Sequence, residues 1–397
     1  KIMQKLTDID LNGKRVLIRV DYNVPMQEGR VQNDFRIRAS MPTIKHCLNS
    51  GASVVLMSHL GRPGGQFDDD LSLDPIAFDV EDLLGVDVHF SKDCISKESI
   101  ELSHSLKPGE VHLLENLRFH DTETTNDDIF SLLLAQHGDV YVNDAFGTAH
   151  RAHASNVGVV NHINTVAPGF LMEKEWTFLS EKLAQPEQPY MVILGGAKIA
   201  GKIELIHQLM DKADTILVGG AMAFTFLKVQ GENIGASLVD EENLAIAEEI
   251  LKTAAEKNVR IELPVDVVCA TGMADDTPWR VASLDEMKPK EMGFDIGPET
   301  CMNFEMLLST AKTVVWNGPL GVTEIQSFAT GTQAIASAVK GLTDLGVTTI
   351  IGGGDTAAAI EEMGFKDGYS HVSTGGGASL EILSGKSLPA FEALNGK

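Results

Sequence analysis

The segment Arg15-Val-Leu-Ile-Arg-Val-Asp-Tyr-Asn-Val-Pro25 sets the pattern for the first half of this chain. Its apolar run at 15–20 predicts a short buried strand, and polar residues follow directly after it. A helix is predicted over 34–51, because apolar residues from Ile37 to Leu48 recur on one face and a glycine follows its end. The apolar run at 52–59 predicts the next strand, so strand and helix alternate.

The same alternation continues to the end of the chain. In the first half it predicts strands at 109–116 and 138–146 and a helix near 126–137. In the second half, apolar runs predict six strands, at 190–196, 215–221, 261–268, 312–318, 347–354 and 371–377. Uniformly apolar strands separated by helices indicate parallel sheets covered on both faces. We therefore expect an α/β protein with two Rossmann-like domains, each a parallel sheet flanked by helices.

The predicted join between the domains is the charged, amphipathic segment 172–189. It is expected to form one helix ended by Pro186 and Pro189, and a stiff helix of this kind can act as the lever of a hinge. The predicted domains are therefore 1–171 and 190–387.

Composition limits the classes of function. With 397 residues and a formal net charge of −24, the chain is expected to bind neither nucleic acid nor an anionic membrane, since both require a basic face. No apolar stretch is long enough for a membrane span, and no signal peptide is predicted. The 4 cysteines are far apart, which is typical of buried, reduced thiols in a cytoplasmic protein.

Arginine is distributed unevenly. The whole chain has ten arginines, of which eight lie in the first 151 residues, several just after an apolar run. The rigid guanidinium fork is suited to gripping phosphate or carboxylate oxygens. The first half is therefore predicted to hold a small, highly anionic ligand. Arg19 lies inside the first strand and is expected to orient Asp21 or to brace the anion site from beneath.

Glycine runs end four of the six predicted strands of the second half: Gly195-Gly196, Gly219-Gly220, Gly352–Gly354 and Gly375–Gly377. Ligands of open parallel sheets bind beyond the carboxyl ends of the strands, where glycine lets backbone N–H groups approach phosphate closely. We therefore predict a nucleotide site there. Asp355 at a helix start would repel a pyrophosphate unless Mg²⁺ lies between them, which favours a nucleoside triphosphate over NAD.

Two glycine-rich segments resemble known nucleotide-binding motifs without matching them fully. The segment from Gly196 to Ile203 nearly matches a Walker A loop, but Ile203 stands where the Mg²⁺-binding hydroxyl belongs. The run Gly352-Gly-Gly-Asp-Thr-Ala357 passes for a dinucleotide fingerprint, yet no strand-terminal acidic residue follows at the required distance. An NAD-dependent dehydrogenase and a non-enzymatic binding module are the alternative readings of the chain.

Taken together, the motifs resemble those of the phosphoglycerate kinase family over essentially the full length. The segment Val16–Pro25 is similar to the family signature, and further motifs follow in the family's order: SHLGRP, ENLRF, NDAFGTAHRAH, LGGAK, WNGPLG, GGGDT and STGGGAS. The resemblance implies a cytoplasmic, monomeric glycolytic enzyme that transfers a phosphoryl group reversibly between MgATP and the carboxylate of 3-phosphoglycerate. The products would be ADP and 1,3-bisphosphoglycerate, and residues 388–397 would pack on the N-terminal domain.

The resemblance also implies roles for individual residues. Asp21 and Asn23 would hold the hydroxyl and carboxylate end of the glycerate, and Arg36 would lie nearest the reacting carboxylate. A basic cup for the 3-phosphate would be formed by four side chains, His59, Arg62, Arg118 and Arg151.

On the nucleotide side, the resemblance implies that Lys202 binds phosphates and that Lys198 binds the phosphoryl group in transfer. Glu324 would bind the ribose hydroxyls, and Asp355 would ligate Mg²⁺. The adenine and the phosphates would be surrounded by Gly219, Gly220, Gly293, Asn317, Gly353, Gly354 and Thr356. Backbone donors at Gly375–Gly377, Gly376 among them, are expected to stabilise the transferring group.

Overall fold

The computed structural model describes residues 3–397 of the chain. The residues form two compact units. Unit 1 comprises the described residues up to Thr177 together with Ser387–Lys397, and unit 2 comprises Phe178–Lys386. No helix within residues 3–397 is both long and apolar enough to cross a membrane.

The described elements run along the chain as follows. The strands are β1 (Arg15–Arg19), β2 (Met26–Gln27), β3 (Arg30–Val31), β4 (Ser53–Met57), β5 (Val88–Ser91), β6 (Val111–Leu114), β7 (Val140–Asn143), β8 (Thr165–Pro168), β9 (Tyr190–Leu194), β10 (Thr215–Val218), β11 (Arg260–Glu262), β12 (Asp266–Ala270), β13 (Trp279–Ser283), β14 (Met292–Ile296), β15 (Thr313–Asn317), β16 (Thr348–Ile351) and β17 (His371–Val372). The helices are α1 (Phe35–Asn49), α2 (Asp74–Leu84), α3 (Lys97–Ser105), α4 (Asp121–Thr124), α5 (Asp128–Ala135), α6 (Phe170–Trp176), α7 (Lys182–Ala184), α8 (Ile203–Met210), α9 (Met222–Val229), α10 (Leu244–Glu256), α11 (Pro298–Leu308), α12 (Thr330–Asp344), α13 (Gly354–Glu362), α14 (Gly377–Leu383) and α15 (Pro389–Asn395).

Unit 1 is built on a parallel sheet of six strands in the order β5-β6-β4-β1-β7-β8. Strand β1 lies between β4 and β7, and its Leu17 is in register with Val55 on one side and Tyr141 on the other. Strand positions 16–19 are all buried, the apolar Val16, Leu17 and Ile18 as expected for a strand covered by helices on both faces. The polar residues that follow β1, β4, β6 and β7 therefore emerge at one edge of the sheet.

Unit 2 repeats this architecture with the strand order β11-β10-β9-β15-β16-β17, again all parallel. The predicted fold class, two α/β halves with a parallel sheet in each, is thus confirmed. The centre of unit 2 is Trp316 on β15, which is fully buried and whose indole Nε1 donates to the carbonyl oxygen of Gly318 at 2.7 Å. This bond satisfies the one polar group of the ring and fixes the turn after the strand.

One strand prediction in unit 2 is wrong. The run 261–268 does not form a single strand, because Pro264 interrupts it and has no N–H to donate. Its first part is β11 at the edge of the parallel sheet. The second part is β12, the middle strand of a separate antiparallel sheet in the order β13-β12-β14. This small sheet was not predicted, and neither were the short strands β5 and β8.

The segment predicted as one helix over 172–189 is shorter and less regular. Helix α6 begins at Phe170, a π-helical turn covers Thr177–Glu181, and α7 ends at Ala184, before Pro186. A π-helical turn widens the helix by one residue, which interrupts the regular spacing on which the prediction relied.

The C-terminal helix α15 packs within unit 1. Its Phe391 is 1% exposed and contacts the ring of Trp176 at a centroid distance of 4.8 Å and the ring of Phe146 at 6.2 Å. The backbone N–H of Ala390 donates to the carbonyl oxygen of Ala149 at 3.1 Å. The last residues therefore complete the core beside the loop that carries Arg151.

Replacing Phe391 by alanine should destabilise unit 1. Loss of a buried aromatic ring leaves a cavity and is expected to reduce the free energy of unfolding of this unit by about 3–5 kcal/mol. Hydrogen exchange at the amides of β1 and β7 under increasing denaturant measures that loss for unit 1 alone. The control is Phe78→Ala in α2, since Phe78 is 67% exposed; an equal loss in both variants would contradict the assigned packing.

Candidate functional site

A cationic cavity lies at the carboxyl ends of the unit 1 strands. It has a volume of about 470 Å³, and its lining includes three of the four predicted cup residues, Arg62, Arg118 and Arg151. His153 and His120 also line it, and neither was predicted as a site residue. The loops after β4, β6 and β7 thus bring together arginines that lie up to 89 residues apart (151 − 62) in the sequence.

Two buried nitrogen atoms at this cavity lack a partner. Within residues 3–397, no hydrogen bond reaches Arg118 Nε or His153 Nδ1, although both atoms are inaccessible to solvent. Buried polar groups in native proteins are nearly always satisfied, and Arg118 Nε can only donate, so its unsatisfied N–H in a cationic cavity indicates a ligand that accepts hydrogen bonds. The shape and charge fit a phosphate group.

The pKa values of the residues that line the cavity also indicate an anionic ligand. Burial, followed by the charge of Arg19, lowers the pKa of Arg118 to about 10. Burial and the charges of Arg118, Arg19 and Arg151 lower the pKa of His153 to about 4. Holding these positive groups close together costs free energy, as their lowered pKa values show, and a bound anion would reduce that cost.

Asn116, in the motif ENLRF, holds the loops of the basic cup together. Asn116 is buried, its Oδ1 accepts from the N–H groups of Leu60 and Arg118 at 3.2 and 3.0 Å, and its Nδ2 donates to the oxygen of Leu60 at 2.7 Å. One amide side chain therefore fixes the loop after β4 against the turn that carries Arg118. Arg118 Nη1 also donates to the oxygen of Gly61 at 3.1 Å.

Asp21, Asn23 and Arg36 form a second cluster beside the cup. Arg36 Nη1 lies 3.2 Å from Asp21 Oδ1 and 2.9 Å from the carbonyl oxygen of Asn23. Asn23 Oδ1 accepts from the N–H of Gly61 at 2.9 Å, which links this cluster to the arginine loop. These three predicted residues and the cup thus form one continuous site in unit 1.

His59, the fourth predicted cup residue, is 3% exposed and lies against Arg19. Arg19 Nη2 is 3.0 Å from His59 Nδ1, and because arginine only donates, this ring nitrogen must be the acceptor. The ring is then neutral, with its proton on Nε2. Burial and the charges of Arg19, Arg118 and Arg36 hold the pKa of His59 well below its usual value.

Arg19 is itself completely buried. Its Nε donates to Ser155 Oγ at 2.8 Å, and Ser155 Oγ donates to the buried carboxylate of Glu123 at 2.6 Å. Arg19 was expected either to orient Asp21 or to brace the cup from beneath. Its contact with the cup residue His59 agrees with the second alternative. No sequence motif indicated Ser155 or Glu123, because they come from a different part of the chain.

In unit 2, Lys202 lies where three glycine turns meet. Its ammonium group donates to the carbonyl oxygens of Gly195 and of Asn317, the latter at 3.2 Å. Burial lowers the pKa of Lys202 to about 8, and the nearby carboxylate of Asp355 opposes this shift. A side chain at Gly195 would collide with the backbone of Pro319, so glycine is required for this close approach.

Asn317 and Thr356 hold the surrounding turns. Asn317 Nδ2 donates to the oxygen of Gly352 at 2.8 Å, and Thr356 Oγ1 accepts from the N–H of Gly318 at 2.7 Å. Both side chains are buried and thereby fix the start of α13, which places Gly353 beside Asn317. A Cβ atom added to Gly376 would lie 3.7 Å from the backbone nitrogen of Gly354. The helices α13 and α14 therefore begin side by side.

A largely apolar pocket of about 500 Å³ adjoins these turns. Four predicted residues line it, Gly220, Gly293, Glu324 and Asp355. Its apolar walls include Phe224, Leu320 and Val322, which sequence reasoning missed because they come from a helix and from the loop after β15. Gly219 lies behind the wall, where a side chain would meet Leu320 and Ile296. Lys198 is exposed and does not line the pocket, although its neighbour Ala197 does.

The pocket also contains a buried carboxyl group that was not predicted. Asp295 accepts from the N–H of Gly331 at 2.8 Å and from that of Ile296 at 2.9 Å. Burial raises its pKa to about 8. Its contact with the first turn of α12 gives it a structural role in closing the floor of the pocket.

Fold and site together define a class of protein. A nucleotide-sized, largely apolar pocket that reaches Asp355 at the start of α13 lies in one α/β unit, beside the turns that hold Lys202. An arginine-lined cavity lies in the other unit. This combination is that of a two-substrate phosphotransferase.

Comparison with known proteins gives the family. The phosphoglycerate kinase family model matches residues 6–386. The phosphoglycerate kinase of Moorella thermoacetica is 51% identical over 397 residues and that of Prosthecochloris aestuarii is 50% identical over 396; each alignment spans at least 99% of this chain and 100% of the relative. The chain belongs to the phosphoglycerate kinase family, and the predicted enzyme class, a phosphotransferase with a carboxyl acceptor, is confirmed.

Solved structures of the family share the fold. The phosphoglycerate kinase of Coxiella burnetii superposes with a TM-score of 0.90 at 40% identity, covering 100% of this chain and 99% of that one. The phosphoglycerate kinase of Pyrococcus horikoshii gives a TM-score of 0.86 at 32% identity, covering 99% and 98%.

The environment of Lys202 predicts pH-dependent binding of ADP. Without ligand, the ammonium group loses its proton as pH rises through about 8, and a bound phosphate favours the charged form. Binding above pH 8 should therefore take up a proton, and ADP affinity should fall as pH rises further. Calorimetry in buffers of different ionisation enthalpy measures the uptake. The Lys202→Arg variant should show no uptake, because arginine stays charged; uptake that persists there would refute the assignment.

Proposed function

We propose that this chain catalyses the reversible, Mg²⁺-dependent transfer of a phosphoryl group between ATP and the carboxylate of 3-phosphoglycerate, with 1,3-bisphosphoglycerate and ADP as the products. The observation that carries the proposal is the unsatisfied donor Arg118 Nε, which lies with Arg62 and Arg151 in a cationic cavity of unit 1. A phosphate-bearing acid is the ligand that this cavity fits.

In this proposal the 3-phosphate binds to Arg62, Arg118 and Arg151, while the neutral His59 donates through Nε2. The other end of the acid then lies at the neighbouring cluster. Asp21 and Asn23 hold its hydroxyl and carboxylate end, and Arg36 neutralises the carboxylate that accepts the phosphoryl group. The 3.2 Å contact between Arg36 and Asp21 supports this arrangement, because it aims the guanidinium toward the same loop edge.

The nucleotide is proposed to bind in unit 2. Its adenine would fill the apolar pocket beside Gly220 and Gly293, and the ribose hydroxyls would bind Glu324. The phosphates would lie over the starts of α13 and α14, where backbone N–H groups of Gly353, Gly354 and Gly376 are available as donors. Lys202 contributes its charge there, and Lys198 is assigned to the phosphoryl group in transfer.

Asp355 is the residue proposed to hold Mg²⁺. It lies in the first turn of α13, its side chain is exposed, and it is close enough to Lys202 to influence the pKa of that lysine. A carboxylate oxygen beside the phosphate-binding turns fits the oxygen-ligand preference of Mg²⁺. When bound, the ion would offset negative charge on the phosphate oxygens.

The acceptor is a carboxylate, which is ionised at neutral pH, so the transfer needs no general base. Positioning and charge neutralisation then supply nearly all of the rate enhancement. Arg36 in unit 1 and Lys198 in unit 2 are the side chains assigned to the oxygens of the transferring group, and the backbone of Gly376 adds neutral donors.

The residues assigned to the two substrates lie on different units, so we propose that the units close on each other during the reaction. Closure would also exclude water, which would otherwise hydrolyse the acyl phosphate. The enzyme is proposed to act as a cytoplasmic monomer in glycolysis, with small molecules as its only required partners.

A direct assay of acyl phosphate formation tests the proposed reaction. With 3-phosphoglycerate, ATP and Mg²⁺, trapping by hydroxylamine should yield a hydroxamate, and yield should depend on all three components. The Arg36→Ala variant should lower kcat by roughly 10³-fold or more, as for other arginines that stabilise charge in phosphoryl transfer.

The matched control is Arg38→Ala, two residues along the same helix. Arg38 is exposed and pairs with Asp34 at 2.8 Å, so its loss should leave kcat nearly unchanged. More than a tenth of wild-type turnover in Arg36→Ala would refute the assigned role, and absence of hydroxamate with the wild-type enzyme would refute the reaction.

Small-angle scattering tests closure. ATP analogue and 3-phosphoglycerate together should reduce the radius of gyration, whereas either alone should have a smaller effect. Unchanged dimensions with both bound would contradict closure while leaving the chemistry intact.

A further inference from the structure

Three side chains that could hold a metal ion lie together in unit 1, and one of them, His120, also lines the arginine cavity. Asp93, Cys94 and His120 each offer one ligand atom, and these atoms all lie within 4.8 Å of one another. His120 Nε2 is 3.2 Å from Asp93 Oδ2. Two ligands of a tetrahedral ion, each about 2.0–2.1 Å from it, are separated by about this distance.

The backbone around these residues is fixed in place. The N–H of Ile95 donates to Asp93 Oδ1 at 2.7 Å, and His137 Nε2 contacts the carbonyl oxygen of Cys94 at 2.8 Å. The ring of His120 packs against Phe130 at a centroid distance of 5.5 Å. The Asp93 carboxylate, the Cys94 backbone and the His120 ring are therefore held in place, which reduces the entropy that ion binding must overcome.

Access and charge also suit a cation. Cys94 is 1% exposed, but the side chains of Asp93 and His120 are 40% and 29% exposed, so an ion can enter from their side. Asp93 supplies a carboxylate beside the thiol, and negative charge at the site favours a divalent cation.

We propose that Asp93, Cys94 and His120 form a binding site for a divalent transition-metal ion, with Zn²⁺ as the best fit. One thiolate, one imidazole and one carboxylate are ligands typical of Zn²⁺ and Co²⁺ rather than of Mg²⁺, which prefers oxygen alone. Three protein ligands leave one position for water. On binding, the S–H bond of Cys94 breaks, its proton passes to the buffer and a sulfur–metal bond forms.

Cobalt titration of the full-length protein, without nucleotide or 3-phosphoglycerate, tests this site. One equivalent of Co²⁺ should produce thiolate-to-cobalt charge-transfer absorption and the intense ligand-field bands of a tetrahedral ion, and Zn²⁺ should abolish both. Thiolate absorption separates this site from any Co²⁺ bound at Asp355, which has no sulfur ligand. The inference does not depend on the proposed reaction.

The matched variants are Cys94→Ser and Cys47→Ser, since both thiols are buried in unit 1. The charge-transfer band should vanish in Cys94→Ser and persist in Cys47→Ser. Loss of an outer-shell partner weakens metal binding by about 10- to 100-fold. Loss of the ligand itself in His120→Ala should weaken Co²⁺ binding by more than that. His120 is partly exposed, so this variant decides the question if Cys94→Ser fails to fold. Absence of the band in the wild-type protein, or its survival in Cys94→Ser, would overturn the proposal.

Discussion

The buried guanidinium of Arg19 organises the anion site of unit 1. A charge that is completely excluded from water must be balanced and hydrogen-bonded, and Arg19 achieves this through Ser155 and the carboxylate of Glu123. Its remaining donors fix His59 in one tautomer. Because Arg19 ends the strand β1 in the middle of the sheet, the loops after β4 and β7 are both held against it.

The two units are proposed to bind phosphate in different ways. The unit 1 cavity has guanidinium groups that repel one another, an unsatisfied Arg118 Nε and depressed pKa values. In unit 2 the proposed binding groups are neutral backbone N–H groups at helix starts and one lysine held by carbonyl oxygens. The first arrangement would discriminate by charge, whereas the second would allow close approach of phosphate to glycine backbone. Such a division suits an acceptor that must be gripped at its phosphate end and a donor that must release its terminal group.

Much of the fold and site could be predicted because the relevant signals are local. The apolar strands of both large sheets, the glycines after them and the arginines after the strands of unit 1 are all visible within short segments. The small antiparallel sheet escaped prediction, since β13 is half exposed and β12 was read as part of a longer run across Pro264. The irregularity inside the helix predicted within 172–189 also escaped prediction, because a π-helical turn leaves no mark on composition.

By itself, the sequence determined the class of fold, the family and the residue types proposed to meet the substrates, because periodicity, strand-end glycines and motifs are properties of contiguous segments. Only the tertiary structure decided which arginines share one cavity and which one lies beneath it. It also decided that Phe224 and Asp295 border the nucleotide pocket and that Asp93 and Cys94 meet His120. These groupings depend on strand order, and strand order follows from long-range packing, on which no single segment carries information.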